Sequence, residues 1–203
     1  MLRVGLTGGL ASGKSVVGAE LERLGCLVVK ADDMGHCVLN RDGEAYQGVI
    51  DEFGREILDT NQNIDRRVLG DLVFGKPERL EKLNSLVHPP VRARIKTLID
   101  AFEQREPNGI AITEAAILIE TGSYRSYDRL IVAACGEEQQ IERAIERDHL
   151  TREQVLDRLR RQMPLREKVQ YAHFIVDTSA TIESTIEQTR EVYACLLEFM
   201  SGD

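Results

Sequence analysis

Residues 3 to 24 constrain the fold of this chain more than any other stretch. Arg3-Val4-Gly5-Leu6-Thr7 is a short run of strand type, and Gly8-Gly9-Leu10-Ala11-Ser12-Gly13-Lys14-Ser15 fits the template G-x-x-x-x-G-K-[ST]. From there Val16, Val17, Leu21 and Leu24 recur at helical spacing. Strand, glycine turn and helix in that order bring successive backbone N–H groups and a helix N-terminus to one point, which is a receptacle for phosphate. Gly8 and Gly13 let the backbone turn where a β-carbon would clash. The pattern predicts that Gly8, Gly9, Ala11, Ser12, Gly13, Lys14, Ser15 and Val16 line a nucleoside triphosphate site. Lys14 would meet the β- and γ-phosphates as a point charge, and the Ser15 hydroxyl would ligate Mg²⁺.

Further apolar runs follow at Leu27-Val28-Val29, Ile110-Ala111-Ile112, Leu130-Ile131-Val132-Ala133 and Phe174-Ile175-Val176, alternating with helical patterns. That alternation predicts an α/β fold with a parallel sheet flanked by helices. The second and third runs are separated by roughly 80 residues, too many for a simple crossover helix, so a helical insertion is expected between them. Glu44 to Phe53, Asp65 to Phe74 and Glu78 to Phe102 carry its helical patterns, punctuated by Gly54, Gly75-Lys76-Pro77 and His88-Pro89-Pro90. Residues 137 to 171 are rich in arginine: Glu137 to Arg147 reads as a helix, and Thr151-Arg152-Glu153-Gln154 opens another with a capping box. Arg143 and Arg147, four apart, share a helix face; most arginines of this stretch read as a solvated charged surface balanced by neighbouring acids, and one or two could serve a lid that neutralises a transferring phosphoryl group. Thr181 to Met200 has the spacing of a packing helix.

The 203 residues suffice for one sizeable core, and a net charge of −8 argues against a nucleic-acid partner. Cys26, Cys37, Cys135 and Cys195 form no C-x-x-C pair, and the four histidines show no zinc spacing, so reduced thiols are expected. The first strand begins almost at the N-terminus, and no apolar run approaches about 18 residues. The expectation is a soluble cytoplasmic protein with no membrane association and an undetermined oligomeric state.

The end of the second run, Val28-Val29-Lys30-Ala31-Asp32-Asp33, places a carboxylate at the ligand-binding edge of a parallel sheet. Asp32 can accept a proton from an acceptor hydroxyl, or cap the following helix, a task to which Asp33 is better suited. Lys30 lies two residues earlier and would share the strand face of Asp32. Glu114 closes the third run and can hold Mg²⁺ through water or stand as a solvated strand end. The absence of an N-K-x-D tetrapeptide weakens a switch-GTPase reading.

With these residues in view, the chain resembles the dephospho-CoA kinase family from end to end. Thr7 through Ser15 is similar to its T-G-G-I-G-S-G-K-S opening apart from Leu10 and Ala11, and Ala31-Asp32 with His36 to its D-A-D-x-x-A-[HR] segment. Asn63 to Leu69 with Val73-Phe74, Leu83-Asn84 and Val87-His88-Pro89 resemble its substrate-domain pattern. Glu114 to Glu120 parallels its D-x-P-L-L-F-E stretch; Arg143, Arg147-Asp148, Thr151 and Gln162 match its lid, and Val176-Asp177 its final strand end. Lys30, Glu114, Ala116 and Thr178 depart from the family's usual aspartate, aspartate, proline and asparagine.

The resemblance implies ATP-dependent phosphorylation of the ribose 3′-hydroxyl of dephospho-CoA, the last step of coenzyme A synthesis. It implies a nucleoside-monophosphate-kinase-like P-loop domain over 1–203, with core 1–34, 106–136 and 172–203, an acceptor-binding helical insertion 35–105 and a lid 137–171. Asp32, Lys14 and Arg147 would be catalytic; Asp32, His88 and Glu114 would meet the acceptor; Arg143 would support Arg147. His88 can equally be a boundary residue before proline. Another small-molecule kinase of the same architecture, and a regulatory P-loop module that only hydrolyses ATP, are the alternatives.

Overall fold

A five-stranded sheet of strand order β2-β3-β1-β4-β5 organises the structure, a computed structural model that describes residues 1–202. Its strands are β1 (Leu2–Gly8), β2 (Leu27–Lys30), β3 (Ile110–Glu114), β4 (Arg129–Ala134) and β5 (Phe174–Asp177), so every apolar run of the sequence forms a strand. β1 pairs in parallel with β3, where Leu6 faces Glu114, and with β4, where Gly8 faces Ala133. A central parallel strand is covered on both faces, which is why β1 is buried along nearly its whole length, Arg3 alone being partly exposed, instead of alternating. Leu2, Val4 and Leu6 pack on Val17 and Leu21 of α1 (Lys14–Arg23) and on Val192 and Leu196 of the C-terminal helix Ile182–Ser201.

The chain divides into two compact units, one formed by Met1–Val29 with Ala101 onward, the other by Lys30–Asp100. The second unit holds α2 (Ala31–Val38), α3 (Tyr46–Phe53), α4 (Arg66–Val73) and the greater part of α5 (Pro77–Arg105). Val38, Val49, Ile50, Phe53, Leu69 and Val91 belong to its buried cluster. Asp65 caps α4, accepting from the amides of Arg67 at 2.9 Å and Val68 at 3.1 Å. Three expectations are corrected here. Asp33 does not cap α2: the helix starts directly after β2, Lys30 holds the N-cap position, and Asp32 and Asp33 occupy the first turn, where a carboxylate meets the positive end of the helix. Asp32 is therefore helical, and the strand alternation that would align it with Lys30 does not apply. Nor do Pro89 and Pro90 interrupt the long helix, which runs through both. Proline removes the donor to the carbonyl four residues back. Leu83, Leu86 and Val87 before the pair and Val91 and Ile95 after it all pack on the same cluster, so one apolar stripe holds both halves of α5.

In the first unit, β4 leads to α6 (Glu137–Asp148), α7 (Arg152–Leu159) and the short α8 (Leu165–Lys168), and β5 leads to α9 (Ile182–Ser201). The capping box forms as expected, with the Gln154 amide donating to Thr151 Oγ1 at 3.3 Å and the Thr151 amide to Gln154 Oε1 at 2.9 Å. Glu20 of α1 accepts from Arg23 at 2.7 and 2.8 Å and from Arg190 of α9 at 2.7 Å, tying the two helices together. The two guanidinium groups hold its carboxyl down at about 2. All four cysteines are free, and burial pushes the Cys26 thiol up to about 12. Among the described residues, no helix is long and apolar enough to cross a membrane.

Candidate phosphate-binding site

The loop between β1 and α1 folds as its glycines require. Gly13 precedes α1 at φ 81°, a conformation open to glycine at little cost, and it supplies no capping side chain, so the first amides of the helix remain directed out of its end. The Ser12 amide donates to Gly9 O at 3.3 Å, and the Val16 amide to Gly13 O at 3.0 Å. Lys14 arches back over the loop, its ammonium donating to Gly9 O at 2.8 Å and Gly8 O at 3.4 Å. Ser12 is buried, and its hydroxyl has no hydrogen-bond partner, an unspent polar group inside the loop.

Glu114 ends β3 on the face that carries α1. A β-carbon on Gly18 would lie 2.9 Å from Glu114 Oε2, so the bare glycine makes room for this carboxylate. Gly18 and Ser15 are three residues apart on α1, a spacing that makes them neighbours on the helix surface, Gly18 buried and Ser15 exposed. No group of three His, Cys, Asp or Glu side chains among the described residues could hold a metal ion. Mg²⁺ takes few protein ligands and keeps waters and phosphate oxygens, so the Ser15 hydroxyl and, through water, the Glu114 carboxylate are donors of the type that could hold it.

Arg143 and Arg147 are engaged differently. Arg143 of α6 is half-buried and donates to Thr178 O at 2.7 Å and Thr178 Oγ1 at 3.5 Å. Thr178, buried just past β5, donates from Oγ1 to Ser12 O at 2.9 Å, with Ala134 O also at 3.2 Å. Arg143 thus reaches the phosphate loop through one side chain. Arg147 is exposed, with Nε and Nη2 at 2.8 and 3.0 Å from the Asp148 carboxylate. That pairing holds the Asp148 carboxyl below its usual range.

Asp32 and His88 belong to the second unit. Asp32 is exposed in the first turn of α2, two residues past β2. His88 lies inside α5, where burial and the Arg92 charge one turn on push its imidazole below the ordinary value. Lys14, Ser15, Glu114, Arg143 and Thr178 thus fall in the first unit.

Lys168 and Gln140 carry no local sequence signal, while Thr7 and Gln162 stand out only through the family resemblance. Lys168, which reads as one more surface charge, is fully buried, pairing with Glu120 Oε1 at 2.8 Å and donating to Ala116 O at 2.5 Å. Thr7 Oγ1, one residue before the loop, donates to the same carbonyl at 3.3 Å. Gln140 and Gln162 reach Leu10 of the loop from the arginine-rich segment.

A glycine loop running from the central strand of a parallel sheet into a helix, with a lysine over its carbonyls, defines a P-loop kinase architecture. The fold is shared with shikimate kinase from Acinetobacter baumannii, at a TM-score of 0.51 and 16% identity, covering 98% of this chain and 94% of that one. A Thermus thermophilus crystal structure superposes at a TM-score of 0.79 with 30% identity over 97% of each chain. Within that class the chain belongs to the dephospho-CoA kinase family, whose sequence model matches residues 2–184. Dephospho-CoA kinase from Aquifex aeolicus is 39% identical over 193 residues, covering 95% of this chain and 96% of the relative.

Proposed function

We infer that the protein is a dephospho-CoA kinase that transfers the γ-phosphoryl group of ATP to the ribose 3′-hydroxyl of dephospho-CoA. The observation that carries this reading is the intact phosphate loop within a family match over residues 2–184. The loop amides of Ala11, Gly13, Lys14 and Ser15 would hold the β- and γ-phosphates, and Lys14 would exchange its loop carbonyls for phosphate oxygens, a stronger, charge-assisted partnership. Ser15 would hold Mg²⁺, with Glu114 joining through water. When bound, the ion neutralises charge that develops on the phosphates.

In the transfer step the acceptor 3′-oxygen forms its bond to the γ-phosphorus as the bond to the β–γ bridging oxygen breaks, ADP leaves, and the hydroxyl proton passes to the Asp32 carboxylate. Arg147 would leave Asp148 to neutralise the transferring group, while Arg143 braces the loop through Thr178. His88, held neutral near pH 7, is suited to donate or accept a hydrogen bond to the acceptor without adding charge. The compartment proposed is the cytoplasm, in keeping with free thiols. The test is ADP release in a coupled assay with ATP and Mg²⁺ against an acceptor panel. Turnover with dephospho-CoA well above that with nucleoside monophosphates is expected; the reverse order overturns the assignment.

A further inference from the structure

The tip of the phosphate loop is held by two glutamine side chains from outside the loop. The Leu10 amide donates to Gln162 Oε1 at 2.9 Å, and the Leu10 carbonyl accepts from Gln140 Nε2 at 2.7 Å. Both backbone groups of one loop residue are therefore taken by side chains from the segment that follows β4. Gln140 is 3% exposed, and its amide lies so close to Gly9 that a β-carbon there would be 2.1 Å from Nε2. The side chains of Leu10 and Ala11 pack against a cluster formed by Ile141, Ala144 and Val155. Ala11 holds φ at 51°, a left-handed conformation that an L-residue adopts only where its surroundings impose it.

We propose that Gln140 and Gln162 are positioning residues for the transfer reaction, fixing the Gly9-Leu10-Ala11 turn so that the amides of Ala11, Gly13, Lys14 and Ser15 are aimed at the triphosphate before it arrives. The proposal rests on the reading of the loop as the ATP site. The polarity of the clamp is specific. The Leu10 amide needs an acceptor, so Gln162→Glu preserves its bond; the Leu10 carbonyl needs a donor, so Gln140→Glu sets a carboxylate against it. Pre-aimed amides lower the ordering cost of binding, so a loosened turn weakens nucleotide affinity and leaves the acceptor's affinity alone.

The experiment measures ADP and ATP binding by calorimetry, and KM for each substrate, in the wild type and in Gln140→Glu, Gln162→Ala and Gln162→Glu, with melting in the absence of nucleotide as the folding check. Gln162→Ala should weaken nucleotide binding about five- to tenfold, the size of one hydrogen bond. Gln162→Glu should recover most of that loss, and Gln140→Glu should lose at least as much as Gln162→Ala. The KM for dephospho-CoA and kcat at saturating ATP should stay within about twofold of wild type, because a loosened turn is re-formed once the nucleotide is bound. Should the buried Gln140→Glu variant fail to fold, the partly exposed Gln162 pair carries the test alone. Nucleotide affinity unchanged in Gln162→Ala, no recovery in Gln162→Glu, or equal losses for both substrates would overturn the proposal. A wild type that binds no nucleotide would instead refute the ATP site itself.

Discussion

Replacing Thr178 with valine tests how the strand end after β5 supports the phosphate loop. The side chain is 4% exposed, and Thr178→Val keeps its shape while deleting the hydroxyl that donates to Ser12 O at 2.9 Å. The bond from Arg143 Nη2 to the Thr178 carbonyl survives, and the 3.5 Å contact to Oγ1 is too long to count for much. The loss is thus one neutral hydrogen bond between buried groups, leaving a loop carbonyl without its donor, which costs about 1–2 kcal/mol. For a domain of this size that lowers the melting temperature by about 2–8 °C. Ser12 lies inside the phosphate loop, so the nucleotide KM should rise by a few fold while the acceptor KM holds. Thermal melting and steady-state kinetics on the same preparation read both effects. Melting within a degree of wild type together with an unchanged ATP KM would refute the claim that Thr178 braces the loop.

Asp32→Asn should bind ATP as the wild type does and lose turnover by roughly two orders of magnitude, because an amide cannot accept the hydroxyl proton; a raised acceptor KM at unchanged kcat would make Asp32 a binding residue only. Arg147→Lys keeps the charge and loses the planar fork, so kcat should fall severely, whereas Arg143→Lys should fall mildly; equal small losses would return both to the helix surface. The Glu20 carboxyl, at about 2 in the folded protein against an ordinary 4.5, adds stability that is fully present above 4.5 and lost as pH falls toward 2. Glu20→Gln should therefore melt below the wild type at neutral pH, with the gap closing as pH falls through that window; a gap that does not change with pH would contradict the ion triad.

What the sequence discloses and what it hides divides by the range of the interaction. The five strands are legible because each carries a short apolar run, buried in the three central strands and partly so at the edges, and the phosphate loop and the capping box at Thr151 are legible because their partners lie within a few residues. The start of α2 is not, since Lys30 caps it by backbone conformation with no side-chain bond to announce it. Continuity of α5 through Pro89 and Pro90 depends on tertiary packing of the flanking residues, which overrides a local breaker. The supports of the loop are the least legible. Gln140 is 130 residues from Leu10, Gln162 is 152, and Thr178 is 166 from Ser12, so nothing in the neighbourhood of any of them marks the contact. Lys168 likewise finds Ala116 across 52 residues, and only the fold distinguishes it from the exposed charges beside it.

The central claim is that this loop delivers the γ-phosphoryl group to an acceptor hydroxyl of dephospho-CoA and not to water. Phosphorus NMR of a reaction containing ATP, Mg²⁺ and dephospho-CoA, run with wild type and with Lys14→Ala, tests it directly. A new phosphomonoester signal on the ribose 3′-oxygen, growing in step with ADP in the wild type and abolished in Lys14→Ala, is the predicted result. Growth of inorganic phosphate while dephospho-CoA stays unchanged, or equal product from the Lys14→Ala protein, would contradict it.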